Sequence, residues 1–85
     1  MVNINPKKYN LPPRTKLKEN PSGKIFIIIN RKSRVIMKDG ERVLNLVKKI
    51  NLVDSNKKVG ILSSAPVCGK TKNWLFDNGI SVVTV

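Results

Sequence analysis

Residues 25–29 read I-F-I-I-I, five consecutive large apolar side chains of which four are β-branched. No other stretch of the chain is so densely apolar. Such a run lacks the alternation of a half-exposed strand and predicts a strand covered on both faces. Cations crowd around it: Lys24 before it, then Arg31, Lys32, Arg34 and Lys38 after it. The polar N-R-K-S segment that follows predicts a tight turn, and R-V-I-M-K at 34–38 predicts a second strand folding back on the first as an antiparallel hairpin. The strongest strand and the strongest positive charge therefore fall at one place.

The charge has a consequence for partners. Seventeen Lys and Arg stand against five Asp and Glu, a net +12. Such a field favours polyanions, nucleic acid first, then an anionic membrane or an acidic protein. Solubility alone would not require an uneven distribution, yet residues 1–23 carry five cations and one anion, and 24–38 carry five cations and none. Residues 39–54 balance at three of each. The excess belongs to the N-terminal arm and the expected hairpin.

The arm, residues 1–23, holds Pro6, Pro12, Pro13 and Pro21 among Lys, Arg and Asn. Proline fixes φ and disfavours helix in the residue before it, so the arm is expected to be extended or partly disordered. Residues 14–18 offer an alternative, a short edge strand with Leu17 as its apolar anchor, and Pro21-Ser-Gly23 supplies turn chemistry before the first strong strand. Residues 24–85 are then one small α/β domain, since 85 residues support a single core.

Beyond the hairpin, Val43, Leu44, Val47 and Ile50 recur at helical spacing, with Asp39 as N-cap and Glu41 in the first turn, which predicts a helix over about 40–51. Val59–Leu62 predicts a buried strand. A second helix over 66–77 would turn Val67, Thr71, Trp74 and Leu75 to the core and stop at Asn78-Gly79. Ile80–Val85 is strongly β-prone. Strand, helix and strand in so short a span predict a right-handed parallel βαβ unit. The expected fold is α/β with a small sheet of four to five strands, in the order arm-β-β-α-β-α-β, antiparallel at its N-terminal side and parallel at its C-terminal side. The β-prone terminal segment invites edge pairing with a second copy, hence a homodimer.

Catalytic motifs are weak. Ser64-Ala-Pro-Val-Cys-Gly-Lys70-Thr71 follows a strand and precedes a helix, as a phosphate-binding P-loop does, and carries G-K-T. Its first glycine is replaced by Ser64, Pro66 removes an amide, and too little chain follows for the magnesium carboxylate of an NTPase. Ser63, Ser64, Lys70 and Thr71 remain a candidate anion site at a helix N-terminus. No histidine is present, which removes imidazole acid–base catalysis and most zinc sites. The carboxylates are too few and too scattered to hold a catalytic cation, so no metal or other cofactor is expected. Cys68, the only cysteine, excludes an internal disulfide and suggests a reducing compartment. Beside Lys70 at a helix start its pKa could be lowered, although packing is the commoner use of such a residue. Neither a signal-peptide h-region nor an apolar run of membrane-spanning length occurs, so the expected location is the cytoplasm.

These observations make a non-catalytic nucleic-acid-binding protein the leading expectation. The candidate contacts are Lys7, Lys8, Arg14, Lys16 and Lys18 in the arm and Arg31, Lys32, Arg34 and Lys38 at the hairpin. Tyr9, beside Lys7 and Lys8, is a candidate to stack on a base, whereas Phe26 and Trp74 are expected in the core. A protein-interaction module docking on an acidic partner is the alternative from another class, and a small anion- or nucleotide-binding protein using residues 63–71 is a third.

Overall fold

A computed structural model describes residues 1–85 as one five-stranded mixed sheet with two helices. The strands are β1 (Val2–Ile4), β2 (Leu17–Glu19), β3 (Ile25–Ile29), β4 (Val59–Ser63) and β5 (Ser81–Thr84), and the helices are α1 (Met37–Val53) and α2 (Gly69–Asp77). Strand order follows chain order: β1, β2 and β3 pair antiparallel, and β3, β4 and β5 pair parallel. The α/β class, the antiparallel N-terminal side and the parallel C-terminal side are as the sequence predicts.

The hairpin is formed by different residues from those expected. β3 pairs with β2, with Leu17 opposite Ile27 and Glu19 opposite Ile25. The connecting turn uses Asn20, whose Oδ1 accepts from the Lys24 amide at 2.9 Å, and Gly23, whose φ of +87° favours a residue without Cβ. Residues 34–38 are not a strand. Both edges of β3 are occupied, by β2 on one side and β4 on the other, so no ladder is left for them. Only Val35 retains a bridge, a parallel one to Val67 in the next loop.

Residues 1–23 are likewise part of the sheet and the core. Beyond β1 and β2, Pro6–Tyr9 forms a 3₁₀ turn with Asn5 as its cap, and Tyr9, Leu11 and Leu17 are buried. Leu17 anchors an inner strand, since β1 lies outside it and is the edge.

Register lines up the core. Ile4, Leu17, Ile27, Ile61 and Val82 stand opposite one another across all five strands. Above this row lie Val43, Val47 and Ile50 of α1, Leu75 of α2, and Tyr9. Both helices therefore cover the same face, the arrangement produced by two crossovers of one hand stepping in one direction. They meet at Gly40, where a Cβ would come within 3.0 Å of Thr71 Cγ2.

Because residues alternate along a strand, Lys18, Phe26, Ile28, Leu62 and Val83 point to the other face, which no helix covers. The expectation that 25–29 is covered on both faces therefore fails in part. Phe26 is still only 7% exposed, with the Lys24 ammonium 5.1 Å from its ring centroid.

The helices begin and end where their caps allow. α1 starts earlier than expected, at Met37, with Ile36 as N-cap. Asp39 is inside the first turn and accepts from the Ile36 amide at 2.9 Å, while Ile36 has no side-chain acceptor to return. α2 starts later than expected, at Gly69, because the Val35–Val67 bridge holds the preceding residues extended. It ends at Asn78, followed by Gly79 at φ +77°, as the Asn-Gly pair predicts. No helix is long and apolar enough to cross a membrane.

Candidate nucleic-acid interface

The candidate cations are distributed by three elements: the segment between the 3₁₀ turn and β2, the β3–α1 loop, and the first turns of α1. Leu11 and Leu17 are buried on either side of Arg14 and Lys16 and so fix this stretch. A turn closed by the Thr15 amide to the Pro12 carbonyl at 2.9 Å projects it, and the Lys16 carbonyl accepts from the Ile28 amide at 3.0 Å. Arg14 and Lys16 thereby come beside the C-terminal end of β3, where the next loop begins.

That loop is organised by Arg31. Its guanidinium bonds both oxygens of Asp39, Nη1 to Oδ1 at 3.1 Å and Nη2 to Oδ2 at 2.5 Å, and also donates to the Ser33 and Arg34 carbonyls, each at 3.1 Å. The pair is bidentate, the strongest geometry for a guanidinium and a carboxylate. It holds the Asp39 carboxyl below the ordinary carboxylate range, first by the hydrogen bond from Arg31 and then by the Ile36 amide, against the opposing effect of burial. Arg31 thus spends most of its donors on the loop and on the start of α1. Its expected role as a free phosphate contact is corrected to a structural one.

One helical turn beyond Asp39 stands Arg42, exposed on the same side of α1 and near enough to add to the depression of the Asp39 pKa. The sequence reading missed Arg42. Its spacing of three from Asp39 was the available signal, but only the approach of the arm to this face makes it matter. Arg14, Lys16, Arg31 and Arg42 line a groove of about 540 Å³ whose single acid is Asp39, already bonded to Arg31.

The other candidates lie apart. Lys32, Arg34 and Lys38 are exposed along the β3–α1 loop and the first turn of α1, next to the groove without lining it. Lys18 belongs to the uncovered sheet face. Lys7 and Lys8 go with Tyr9, whose hydroxyl donates to Asp54 Oδ2 at 2.6 Å at the far end of α1. Neither lysine lines the groove. Tyr9 is 1% exposed and cannot stack on a base. Burial first, then the bond to Asp54, pushes its pKa up to about 12.

The candidate anion site is dismantled by its own hydrogen bonds. Ser63 is fully buried and its hydroxyl closes a turn onto Ala65, donating to the carbonyl at 2.8 Å and accepting from the amide at 3.1 Å. Ser64 Oγ accepts from the Arg31 amide at 3.2 Å and lies 3.1 Å from Asn30 Oδ1, tying two loops together. Lys70 is exposed and Thr71 is buried. The hydroxyls of Ser63 and Ser64 are thus engaged within the fold.

Of the seventeen cations only Arg31 and Lys57 form ion pairs, the latter with Glu19, so the positive field is almost unneutralised within the chain. No grouping of three or more carboxylate, cysteine or histidine ligands occurs that could hold a metal ion. Comparison of the chain with protein-family models, with curated proteins and with solved structures returns no match.

Proposed function

We propose that this protein binds nucleic acid without catalysis, through phosphate contacts made from the groove between the arm and α1. The observation that carries the reading is the convergence of Arg14, Lys16 and Arg42 on one groove whose only carboxylate is already neutralised by Arg31. Guanidinium and ammonium groups without internal partners are the chemistry that phosphates displace counterions to reach. Lys32, Arg34 and Lys38 extend the same positive surface. The single free cysteine suits a protein of the reducing cytoplasm.

The test is fluorescence anisotropy with labelled duplex DNA, single-stranded DNA and RNA over a salt series, comparing the native chain with an Arg14→Ala/Lys16→Ala/Arg42→Ala variant. Affinity should fall steeply with salt, and the variant should bind more weakly with a slope smaller by roughly 2–3, one counterion for each lost contact. Equal slopes for the two proteins would remove the groove from the interface.

A second reading is favoured by one feature, the helix-free sheet face that carries Ile28, Leu62, Val83 and Lys18. Parallel sheets are ordinarily covered on both faces. A partner carrying apolar side chains ringed by carboxylates would complement it. Capture of such a partner that survives nuclease treatment and is lost on Val83→Lys would put this reading first.

A further inference from the structure

β5 closes the parallel side of the sheet, and its outer edge has no neighbouring strand. The Val85 amide bonds inward to the Ser63 carbonyl at 2.9 Å. Backbone direction alternates along a strand, so Ser81 and Val83 also turn their main-chain groups toward β4, while Val82 and Thr84 aim theirs outward. Natural sheets guard such an edge with lysine or proline. Ser81–Thr84 carries neither, in a chain with seventeen cations.

The edge is flanked by apolar side chains on both faces of the sheet. On the open face Val83 is 41% and Val85 82% exposed, and on the helix face Phe76 is 73% exposed. The direction of Phe76 follows from α2. Leu75 points to the core, and Trp74 lies against α1, where a Cβ on Gly40 would stand 3.5 Å from its ring. Phe76 is two residues beyond Trp74, about 200° round the helix, and so turns away from α1 toward the β5 side. Residues 73–85 are also the longest stretch of the chain without a cation, and Asp77 is their only charge. Lys24 reaches the start of β5, where its ammonium is bonded to the Ser81 hydroxyl. A polyanion finds little to bind here, whereas a second copy of this basic chain meets the flank where its own charge repels it least. The opposite edge, β1, has Lys18 of β2 opposite Asn3 and is followed by Lys7 and Lys8.

We propose that two copies of this chain pair through β5, antiparallel about a two-fold axis at Val83, joining their sheets into one. The outward groups set the register. Val82 exchanges both main-chain hydrogen bonds with Thr84 of the partner subunit, and Thr84 does the same with Val82 of the partner subunit. Val83 then faces its own copy in a non-hydrogen-bonded pair, the position where side chains across a ladder stand closest. Phe76 covers the joint on the helix face. A pairing of like with like closes on itself, so the product is a dimer and no filament grows from it. The groove of Arg14, Lys16 and Arg42 lies against β3 and α1, away from β5, and stays open in both copies. This inference does not depend on nucleic-acid binding.

The test is analytical ultracentrifugation of the full chain over a concentration series in about 0.1 to 1 M salt, a range in which the screening length falls from about 10 Å to about 3 Å. A monomer–dimer equilibrium should appear and strengthen with salt, because the net +12 on each copy opposes it. Nucleic-acid binding responds to salt in the opposite sense, so either reading can fail without the other. Thr84→Pro removes an outward amide and keeps the ladder to β4, so it should fold and raise the dimer Kd about tenfold or more. Phe76→Lys, at an exposed position, should weaken the dimer as well. In a Cys68→Ser background, Val83→Cys should give a disulfide-linked dimer on mild oxidation, since residues paired in this way stand about 4.5 Å apart at Cα. Thr84→Cys should not, being offset from its own copy by two residues along the strand, beyond the roughly 7 Å a disulfide spans. Circular dichroism checks that each variant folds, and if Thr84→Pro does not, Phe76→Lys and the two cross-links decide. A chain that stays monomeric at the highest concentration and salt would overturn the proposal. So would a dimer that the folded variants leave unchanged, or cross-linking equal at positions 83 and 84.

Discussion

Three side chains illustrate how tertiary contacts reassign residues whose type alone suggests a surface role. Tyr9 sits between lysine and asparagine in a proline-containing segment, yet its ring is in the core and its hydroxyl is bonded to Asp54. Tyr9→Phe should cost about 1–2 kcal/mol in urea unfolding, the loss of a hydrogen bond to a charged acceptor. Its titration gives a second readout. The folded pKa lies above the unfolded value, so the neutral form is favoured by folding, and this contribution is complete below pH 10 and is lost as pH rises from 10 toward about 12. Tyr9→Phe should therefore flatten the alkaline fall in stability. Asp39 has the opposite sign. Its carboxyl is held below the ordinary 3.8, so its contribution is present above that value and is lost as pH falls through the lowered one. Asp39→Asn should cost about 1–2 kcal/mol at neutral pH and reduce the acid sensitivity of unfolding. Arg31, one of the cations expected to contact phosphate, is the partner that produces this effect.

At the level of elements, the decisive contacts lie where two of them approach too closely for a side chain. Gly60 in β4 pairs with Ser81 in β5, and a Cβ there would stand 2.9 Å from the Ser81 carbonyl oxygen and 3.2 Å from Lys24 Cε. Gly60→Ala should push β5 away from β4 and cost about 1–3 kcal/mol, measured as a lower urea midpoint with an unchanged slope. Helix periodicity placed α1 and α2 correctly in kind, because Val43, Val47, Ile50 and Leu75 have only one shared face to bury. The boundaries moved for tertiary reasons. Asp39 shifted from cap to third residue because Arg31 reaches it there, and α2 begins late because its approach is clamped to Val35.

For the whole molecule, the N-terminal segment is the largest difference between expectation and structure. Residues 1–16 contribute β1, Tyr9 and Leu11, so they complete the core instead of trailing from it. Their removal should abolish cooperative unfolding and amide protection in β2 and β3, as read by hydrogen exchange, even without any nucleic acid present. A binding defect after such a truncation would therefore report unfolding. Side-chain substitutions at Arg14, Lys16 and Arg42 are the cleaner probe of the positive surface.

The chain by itself determined the parts that depend on local chemistry. The five-residue apolar run had to be a strand, the helical spacings had to be helices, and Asn78-Gly79 had to end one of them. A parallel strand–helix–strand unit followed from their lengths. What the sequence could not decide was which segment pairs with β3, because residues 14–18 and 34–38 each had the composition of a neighbouring strand. That choice rests on which edge of β3 the β4 crossover occupies, a long-range competition with no local signal. The positive groove was half legible for the same reason. The cations were visible one by one, but Arg42 joins Arg14 and Lys16, and Arg31 leaves them for Asp39, only once the arm has folded against α1.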